Sequence, residues 1–483
     1  MSAPGVTVTT RASQSGSSFD IETGTAFVVG TAERGSTTEA VLCRDLNQFI
    51  AAAGERYVGS SLYDAVRSAF RNGLSRLYFS RVVGPSPTKA TVTLDDSDGD
   101  DTLVVTAKNP GVWGADIDII VTAGDTPGTF VITVEDDDVV VEVSPELADK
   151  TAAISWASTT SDYIDLADAD PTDTDPVPVS TSLVGGTDDV SNVTTTQWVE
   201  ALDRFTKDLG PGQVAAPGRT TEAIQEALLD HAAANNRFAV VDLADTATRA
   251  TLVAATGALH THTAARYGLA AEGWYRTADE DVPGVLRDTP PSAGLLGAIA
   301  RSDGSGNHAN TAVAGDNGVI VDAVEKTQAE WADADRSVLN DAGVNVIRNY
   351  RGAHRLYGFR SLVDPTTAPA FKQASAGREM MSLAARMDEA LEPFVFGQID
   401  GKGVWLSRLN GACAAICLDD YNAGALFGET PDEAYKITTD SSVNPVEQLA
   451  EGEVHVVAAV KISPFAETVE LELVKVDNTE ALS

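Results

Sequence analysis

Cysteine is nearly missing: Cys43, Cys413 and Cys417 are all that 483 residues contain. So few, and odd in number, they exclude a disulfide framework and fit folding in a reducing cytoplasm. Basic residues are scarce as well, with 34 Lys and Arg against 71 Asp and Glu and a formal charge of -37. So negative a surface is repelled by phosphate backbones and anionic lipid, which excludes nucleic acid and the membrane surface as partners of the chain as a whole. Nowhere do about 18 apolar residues run together, so no membrane-spanning helix is expected. The opening "MSAPGVTVTTRASQSGSS" has no basic region followed by an apolar run, so no export signal is expected either.

Core material, by contrast, is plentiful. Apolar residues make up 43% of the chain, and a length of this order suggests roughly three domains of about 150 residues each. Asp outnumbers Glu and Arg outnumbers Lys. That bias occurs in proteins of salt-loving organisms and in ordinary high-GC genomes, so a halophilic host is one of two readings.

Residues 1–20 carry only the short alternation Val6, Thr7, Val8 followed by a Ser and Gly tract, an arm with one strand-competent piece. From "TGTAFVVGTAERG" the rhythm becomes α/β: an apolar strand, the helices "RDLNQFIAAAG" and "SSLYDAVRSAFRNG", then the strand "RLYFSRVV". Between Pro85 and Val190 the composition turns to Thr, Val, Asp and Pro with hardly any helical period. The runs "KATVTL", "DTLVVTA", "DIDIIVTA" and "TFVITVED" between Asp and Gly clusters predict an antiparallel β domain, with "DPTDTDPVPVSTSLVGG" as its exit linker. The helix rhythm then resumes, with Trp198, Leu202 and Phe205 on one face, Ile224, Ala227 and Leu228 on another, and the buried strand "RFAVVDLA". A helix over "EKTQAEWADADRSVLNDAG" is expected to stop at Gly343, before the strand "VNVIRNY". Helices over "REMMSLAARMDEALEP" and from Val404 to about Leu418 follow, with strands "AYKITTD", "EVHVVAAVKIS" and "ETVELELVKV". The fold class expected is therefore a multidomain α/β and α+β chain. Its parts are an arm over 1–20, an α/β core over 21–85 and 190–343, an inserted β domain over 86–189, a C-terminal α+β domain over 344–465 and a terminal strand or arm over 466–483.

No pattern assembles catalytic chemistry, and no cofactor is expected. In "DDSDGDD" a calcium loop would need carboxylates where Leu94 and Val105 stand, so a hairpin turn is favoured. "GQIDGKG" is one residue short of a phosphate loop and has Gly403 where a Ser or Thr must reach the metal. "PGRTTEAIQEALL" reads as a helix start capped by Thr220 or Thr221. His260 and His262 would share one side of a strand, but with six histidines in the chain and no neighbouring Cys or Glu at metal-site spacing, packing is the better reading. Cys413 and Cys417, at helical spacing, are two small buried residues.

One dense basic stretch remains, "VNVIRNYRGAHRLYGFR", holding Arg348, Arg351, His354, Arg355 and Arg360. A cation near a helix C-terminus gains about 0.3–1 kcal/mol, and five basic groups exceed that need. In so acidic a chain the natural partner of this stretch is an acidic face of another copy or of a companion protein.

The segment "VLNDAGVNVIRNYRGAHRLYGFRSL" resembles the part of contractile tail sheath proteins where a Gly-Ile-Asn-Val-Ile-Arg strand precedes a Trp-Gly-Ala-Arg-Thr-Leu turn, here Tyr357 to Leu362. Further similarities follow in family order: "APGVTVT", "TAFVVGTAERGS", "SSLYDAVRSAFRNGLSRLYFSRV", "NPGVWGADIDIIV", "PPSAGLLGAIARSDGSGNHAN", "GALFGETPDEAYKITTD" and "PFAETVELELV". Two places depart from the pattern: the first arm lacks the usual aromatic, and "PTTAPAFKQASAGREMM" lacks a paired Arg, leaving Arg378 alone.

The resemblance, to sheaths of myovirus-type tails and phage-like contractile injection systems, implies a structural subunit with no enzymatic step. It implies a virion tail component, made in the host cytoplasm, that stacks in rings, commonly sixfold, around an inner tube and contracts to drive that tube through an envelope. The partners it implies are copies of the chain, the inner tube protein, and baseplate and tail-terminator proteins. Val6 and Val8, and Val469, Leu471 and Leu473 alternating with Glu470 and Glu472, are the arm residues expected to add strands to neighbours. Arg348, Arg351, Arg355 and Arg360 are expected to form the basic contact with a subunit or the tube. The alternative is a surface or secreted β-rich binding or adhesion protein, which the absent export signal opposes. A degenerate nucleotide-binding enzyme comes third, opposed by the failed phosphate loop.

Overall fold

A computed structural model describes residues 22–170, 174–306, 308–473 and 475. The arm with Val6 and Val8 lies outside the described residues.

An eight-stranded sheet organises the body. Ala26–Gly30 stands inside it, with Leu77–Arg81 parallel on one side and Gln213–Ala215 parallel on the other. Phe238–Asp242, Gly268–Glu272 and Val344–Tyr350 continue outward in parallel. Antiparallel strands close both edges, Val41–Cys43 beside Leu77–Arg81 and Ala353–Leu356 beside Val344–Tyr350. Runs such as "AFVVG" and "FAVVD" are buried throughout because helices cover both faces. Leu62, Val66, Leu295 and Ile299 pack on one face and Trp198, Leu202, Leu228 and Leu252 on the other. The chain leaves the Ala26–Gly30 strand to one side and returns on the other, so the strand order reverses between Ala26–Gly30 and Gln213–Ala215. That makes it a doubly wound sheet with a switch point.

The strand Val344–Tyr350, expected to open a separate C-terminal unit, instead pairs with Gly268–Glu272 in this sheet. The division expected at residue 343 therefore cuts through one continuous core. The helix before it is also shorter than its sequence suggests, Asp333–Asp341 only. Ala323–Lys326 pairs antiparallel with Tyr275–Ala278, and that long-range ladder overrides local helix propensity.

The insertion has a core of its own, including Leu94, Val105, Trp113, Ile119, Ile132 and Trp156. Two antiparallel sheets enclose it: Thr91–Asp95, Asp101–Ala107 and Ile164–Asp168 in one, and Ile117–Ala123, Phe130–Asp136, Val139–Val143 and Val179–Ser182 in the other. Two expectations fail here. A helix, Lys150–Thr160, lies where hardly any helical period was expected; Ala153, Trp156 and Ala157 form its short inner stripe amid Ser and Thr. The supposed exit linker contributes the strand Val179–Ser182, because pairing with Ile117–Ala123 satisfies its backbone.

Helices Ala374–Leu391 and Val404–Asn422 and the hairpin Tyr435–Thr438 with Val457–Val460 follow, packed around Leu383, Ile416, Cys417 and Leu426. No strand forms over Glu467 to Leu473.

Buried arginines join the parts. Arg237, fully buried, donates to the Gly210 and Thr206 carbonyls at 3.2 and 2.6 Å and to His231 Nε2 at 2.8 Å, and its guanidinium sits 3.6 Å from the Phe27 ring centroid. Burial, and after it the Arg237 cation, push His231 down from 6.5 to about 3. The unfolded chain thus takes up this proton near pH 6.5 and the folded one only near 3. The stability tied to the neutral ring is whole above about pH 6.5 and is lost as the pH falls toward 3, at about 1.4 kcal/mol per unit. His231→Gln, which keeps an acceptor for Arg237 but cannot titrate, should flatten the fall of the melting temperature between pH 6.5 and 4. Equal slopes in the two proteins would exclude His231 as the group responsible.

Candidate assembly surface

The basic stretch forms a hairpin, Val344–Tyr350 against Ala353–Leu356, joined by Arg351 and Gly352. Both turn residues have positive φ, 54° and 82°, the geometry of a tight two-residue turn. A non-glycine residue there is uncommon. Arg351 is exposed at the tip with its guanidinium 5.1 Å from the Tyr350 ring, and Arg348 lies 4.6 Å from the Tyr357 ring. Arg355 pairs with the exposed carboxylate of Asp316.

Arg360 differs from these three because it turns inward. It is 8% exposed, donates to the Asn340 carbonyl at 2.8 Å and to Asp341 at 3.2 Å, and grips the Glu467 carboxylate through Nε and Nη2. Asn345 locks the same turn, accepting from the Arg360 amide at 2.7 Å and donating to the Arg360 carbonyl at 2.8 Å. Burial alone would raise the Glu467 carboxyl, yet Arg360 beside it holds it below its usual range.

Through Glu467 this turn anchors the end of the chain. Gln373 brackets Phe465 as a neighbouring strand would, donating to its carbonyl at 2.9 Å and accepting from its amide at 3.1 Å, and the Phe465 and Phe359 rings stand 6.4 Å apart. Past this staple the chain leaves the surface: Val469, Leu471 and Leu473 are 88%, 76% and 85% exposed. The expected strand is absent because no neighbouring strand of the described residues lies beside it. An alternating apolar and acidic segment is left in extended reach of other molecules.

Other expected sites resolve as packing or turns. Asp96 Oδ1 accepts from the Asp98 and Asp100 amides at 2.8 and 3.1 Å, closing a hairpin turn. In "GQIDGKG" the Asp400 carboxylate accepts from the Val404 and Trp405 amides at 3.1 and 2.8 Å, so the protein's own anion already occupies the helix start. Thr221 holds the N-cap position of Glu222–Ala234 but makes no side-chain cap bond, and Thr220 lies before it. His260 and His262 stand at and just after the end of helix Arg249–Leu259 and not on a strand, His260 Nε2 lying 3.2 Å from the Ala342 carbonyl. Cys413 and Cys417 are fully buried, and burial pushes the Cys417 thiol up to about 12. Among the described residues no group of His, Cys, Asp or Glu is placed to hold a metal ion.

Sequence reasoning missed the partner of Arg378. Fully buried, it donates to both oxygens of Asp303, at 2.7 and 2.9 Å, and to the Ala309 carbonyl at 3.1 Å. Asp303 ends the "ARSD" motif and Arg378 is the solitary Arg of "AGREMM", so two stretches already singled out meet here. No helix of the described residues is long and apolar enough to cross a membrane.

No protein-family model matches the sequence, and no curated protein matches it. Solved structures do. The sheath tail protein from Desulfitobacterium hafniense is 15% identical with a TM-score of 0.60, over 90% of this chain and 94% of that one. The sheath tail protein Lin1278 from Listeria innocua is 16% identical with a TM-score of 0.60, over 91% and 95%. The sheath of an extracellular contractile injection system, in its contracted state, is 16% identical with a TM-score of 0.55, over 98% of both chains. Across nearly its whole length, the chain has the fold of contractile tail sheath proteins.

Proposed function

We propose that this chain is the structural subunit of a contractile tail sheath, polymerising in stacked rings around an inner tube and shortening to drive that tube through an envelope. One observation carries the reading beyond the fold. The segment after Glu467 is stapled at its base, alternates Val469, Leu471 and Leu473 with Glu470 and Glu472, and presents them to solvent with no strand of the described residues beside them. Such an edge invites aggregation in a lone molecule and is useful where a neighbour accepts it as a strand. Contacts between unlike surfaces, repeated without closure, build a helix of subunits, and two packings separated by a barrier would let it contract. Baseplate, tail-terminator and tube proteins are its companions in this reading. The place of the protein is a virion tail or an extracellular injection particle.

Electron micrographs of the purified chain, alone and with the tube protein from a neighbouring gene, test this directly. Helical tubes are expected; a monomer that never assembles under any salt or tube condition would overturn the reading.

The basic stretch serves this assembly through its free members. Arg355 and Arg360 already face carboxylates of their own chain, so the contact with a subunit or the tube falls chiefly on Arg348 and Arg351. Close charge pairs at an interface carry about 1.5–7 kcal/mol of coupling, against about 0–1 for exposed pairs. A double variant, Arg348→Glu with Arg351→Glu, should keep the melting temperature within a few degrees and lower the sedimented polymer at least tenfold. Unchanged polymer would return the hairpin tip to plain solvent.

Salt should act in the opposite sense to simple ion pairing. Each subunit brings a formal -37, and the screening length shrinks from about 8 Å at 0.15 M salt to about 3 Å at 1 M. Polymer stability is expected to rise with NaCl from about 0.05 to 2 M in sedimentation, whereas a steady loosening would make specific ion pairs the controlling term.

A further inference from the structure

Arg219 is a cation without an anion among the described residues. Of the described residues none gives its guanidinium a hydrogen bond or an ion pair; the guanidinium lies over the Trp198 ring, 4.9 Å from its centroid. In a chain with 71 acidic residues such isolation is unexpected, and half-buried as it is, a charge that has lost part of its water without a partner carries a cost. The surroundings lower its basicity by burial alone, with no carboxylate to compensate.

Its position is not arbitrary. Ala216, Pro217 and Gly218 carry the chain from the carboxyl end of Gln213–Ala215 to Arg219, while Thr31 follows the carboxyl end of Ala26–Gly30. These are the two parallel strands between which the order of the sheet reverses, and in open α/β sheets ligands bind in the crevice outside the carboxyl ends at that point. Here the crevice is a cleft of about 520 Å³ lined by Thr31, Tyr57, Val193, Thr195, Trp198 and Arg219, among others. That volume lies within the range of small-ligand pockets. Val58, 94% exposed, stands at its rim.

We infer that this switch-point cleft is a carboxylate-binding site, with Arg219, held over the Trp198 ring, as the residue that receives the anion. A guanidinium laid on an indole face keeps its N–H edges free for the two oxygens of a planar carboxylate. Arg219 is the one cationic side chain among the residues lining the cleft. A single charge suits a monoanion, and the strongly negative surface of the chain disfavours polyanions. The carboxylate has two available sources: an acidic side chain of a second copy packed on the rim at Val58, or a free small carboxylate.

The test compares wild type with Arg219→Gln and Arg219→Lys, each checked by melting temperature. In the first arm the soluble subunit is titrated with sodium acetate against sodium chloride of equal ionic strength, following tryptophan emission. A saturable, acetate-specific change in wild type, weakened about tenfold or more in Arg219→Gln and less in Arg219→Lys, establishes a site for free carboxylate. The second arm measures the polymerised fraction. No acetate response, with Arg219→Gln polymerising at least tenfold less and Arg219→Lys partly restored, assigns the cleft to a carboxylate of a neighbouring copy. This second assignment rests on the proposed sheath function, and wild-type tubes in the same experiment separate its failure from failure of that reading. If the three proteins behave alike in both arms, the inference is wrong.

Discussion

Arg81→Met should destabilise the protein by about 3–5 kcal/mol and free the inserted domain from the body. Arg81 ends the strand Leu77–Arg81 at the point where the chain crosses into the insertion, and it is 0% exposed. Its guanidinium donates to the Ala32 carbonyl at 3.0 Å, the Glu33 carbonyl at 2.8 Å and, across the junction, the Pro110 carbonyl at 2.6 Å. It also pairs with Asp188, 3% exposed, on the returning crossing. Asp188 in turn accepts from the Tyr57 hydroxyl at 3.2 Å and the Val112 amide at 3.3 Å. One cation thus ties the outgoing crossing, the returning crossing and the body together. Removing one partner of a buried pair leaves the other charge desolvated and uncompensated, which sets the size of the loss. The measurement is paired: a drop in the melting temperature, and limited proteolysis, which should cut near residues 83–88 and 184–190 far faster in the variant. Asp188→Asn should cost less, because Arg81 keeps its carbonyl partners. A variant as stable and as protease-resistant as wild type would show that the two ladders of the insertion hold it without this clasp.

The contrast between this clasp and what the sequence displays shows where legibility ends. The strands of the parallel sheet were readable because burial on both faces demands short, continuous apolar runs, as in "AFVVG" and "FAVVD". The helix Leu62–Arg71 was readable because one face is apolar and Asn72-Gly73 stops it. Sheet membership was not, since the alternation in "VNVIRNY" says strand but cannot say which strand lies beside it. Lys150–Thr160 stayed hidden because only three of its residues are buried, and Ser and Thr obscure their period. Buried arginines are hardest of all. Arg81, Arg237 and Arg378 look like surface charges in one dimension, and their partners lie up to 107 residues away in the case of Arg81 and Asp188. Of the candidate assembly surface, the arm alternation and the basic stretch are visible as patterns, but not that Arg360 is spent on Glu467. That pairing places one end of the arm on the turn of the basic stretch, so the two features singled out separately are parts of one surface.

The second large effect belongs to that arm. Deleting residues 468–483 should leave the subunit folded, with its melting temperature nearly unchanged, and abolish tube formation. The deletion spares Phe465 and Glu467, so the staple on Phe359, Gln373 and Arg360 stays intact, and among the described residues it removes Val469, Leu471 and Leu473, which are already largely exposed. No described residue of the monomer's core is lost. In an assembly the same residues would supply a strand of six or so positions, each backbone bond contributing about 0.5–1.5 kcal/mol net, repeated at every subunit. The staple also matters for the size of the effect. By fixing the base of the arm it raises the effective concentration of the strand at the neighbour, a gain that depends on a short tether. Arg360→Met, which frees the base but keeps the strand, should therefore weaken assembly without abolishing it and should lower the melting temperature, since Asn340, Asp341 and Glu467 all lose a partner. The two variants separate two roles that the wild type combines. A truncated chain that still forms regular tubes would show that the lattice is held by the body surfaces, and that the exposed alternation of Val469, Leu471 and Leu473 serves some other contact.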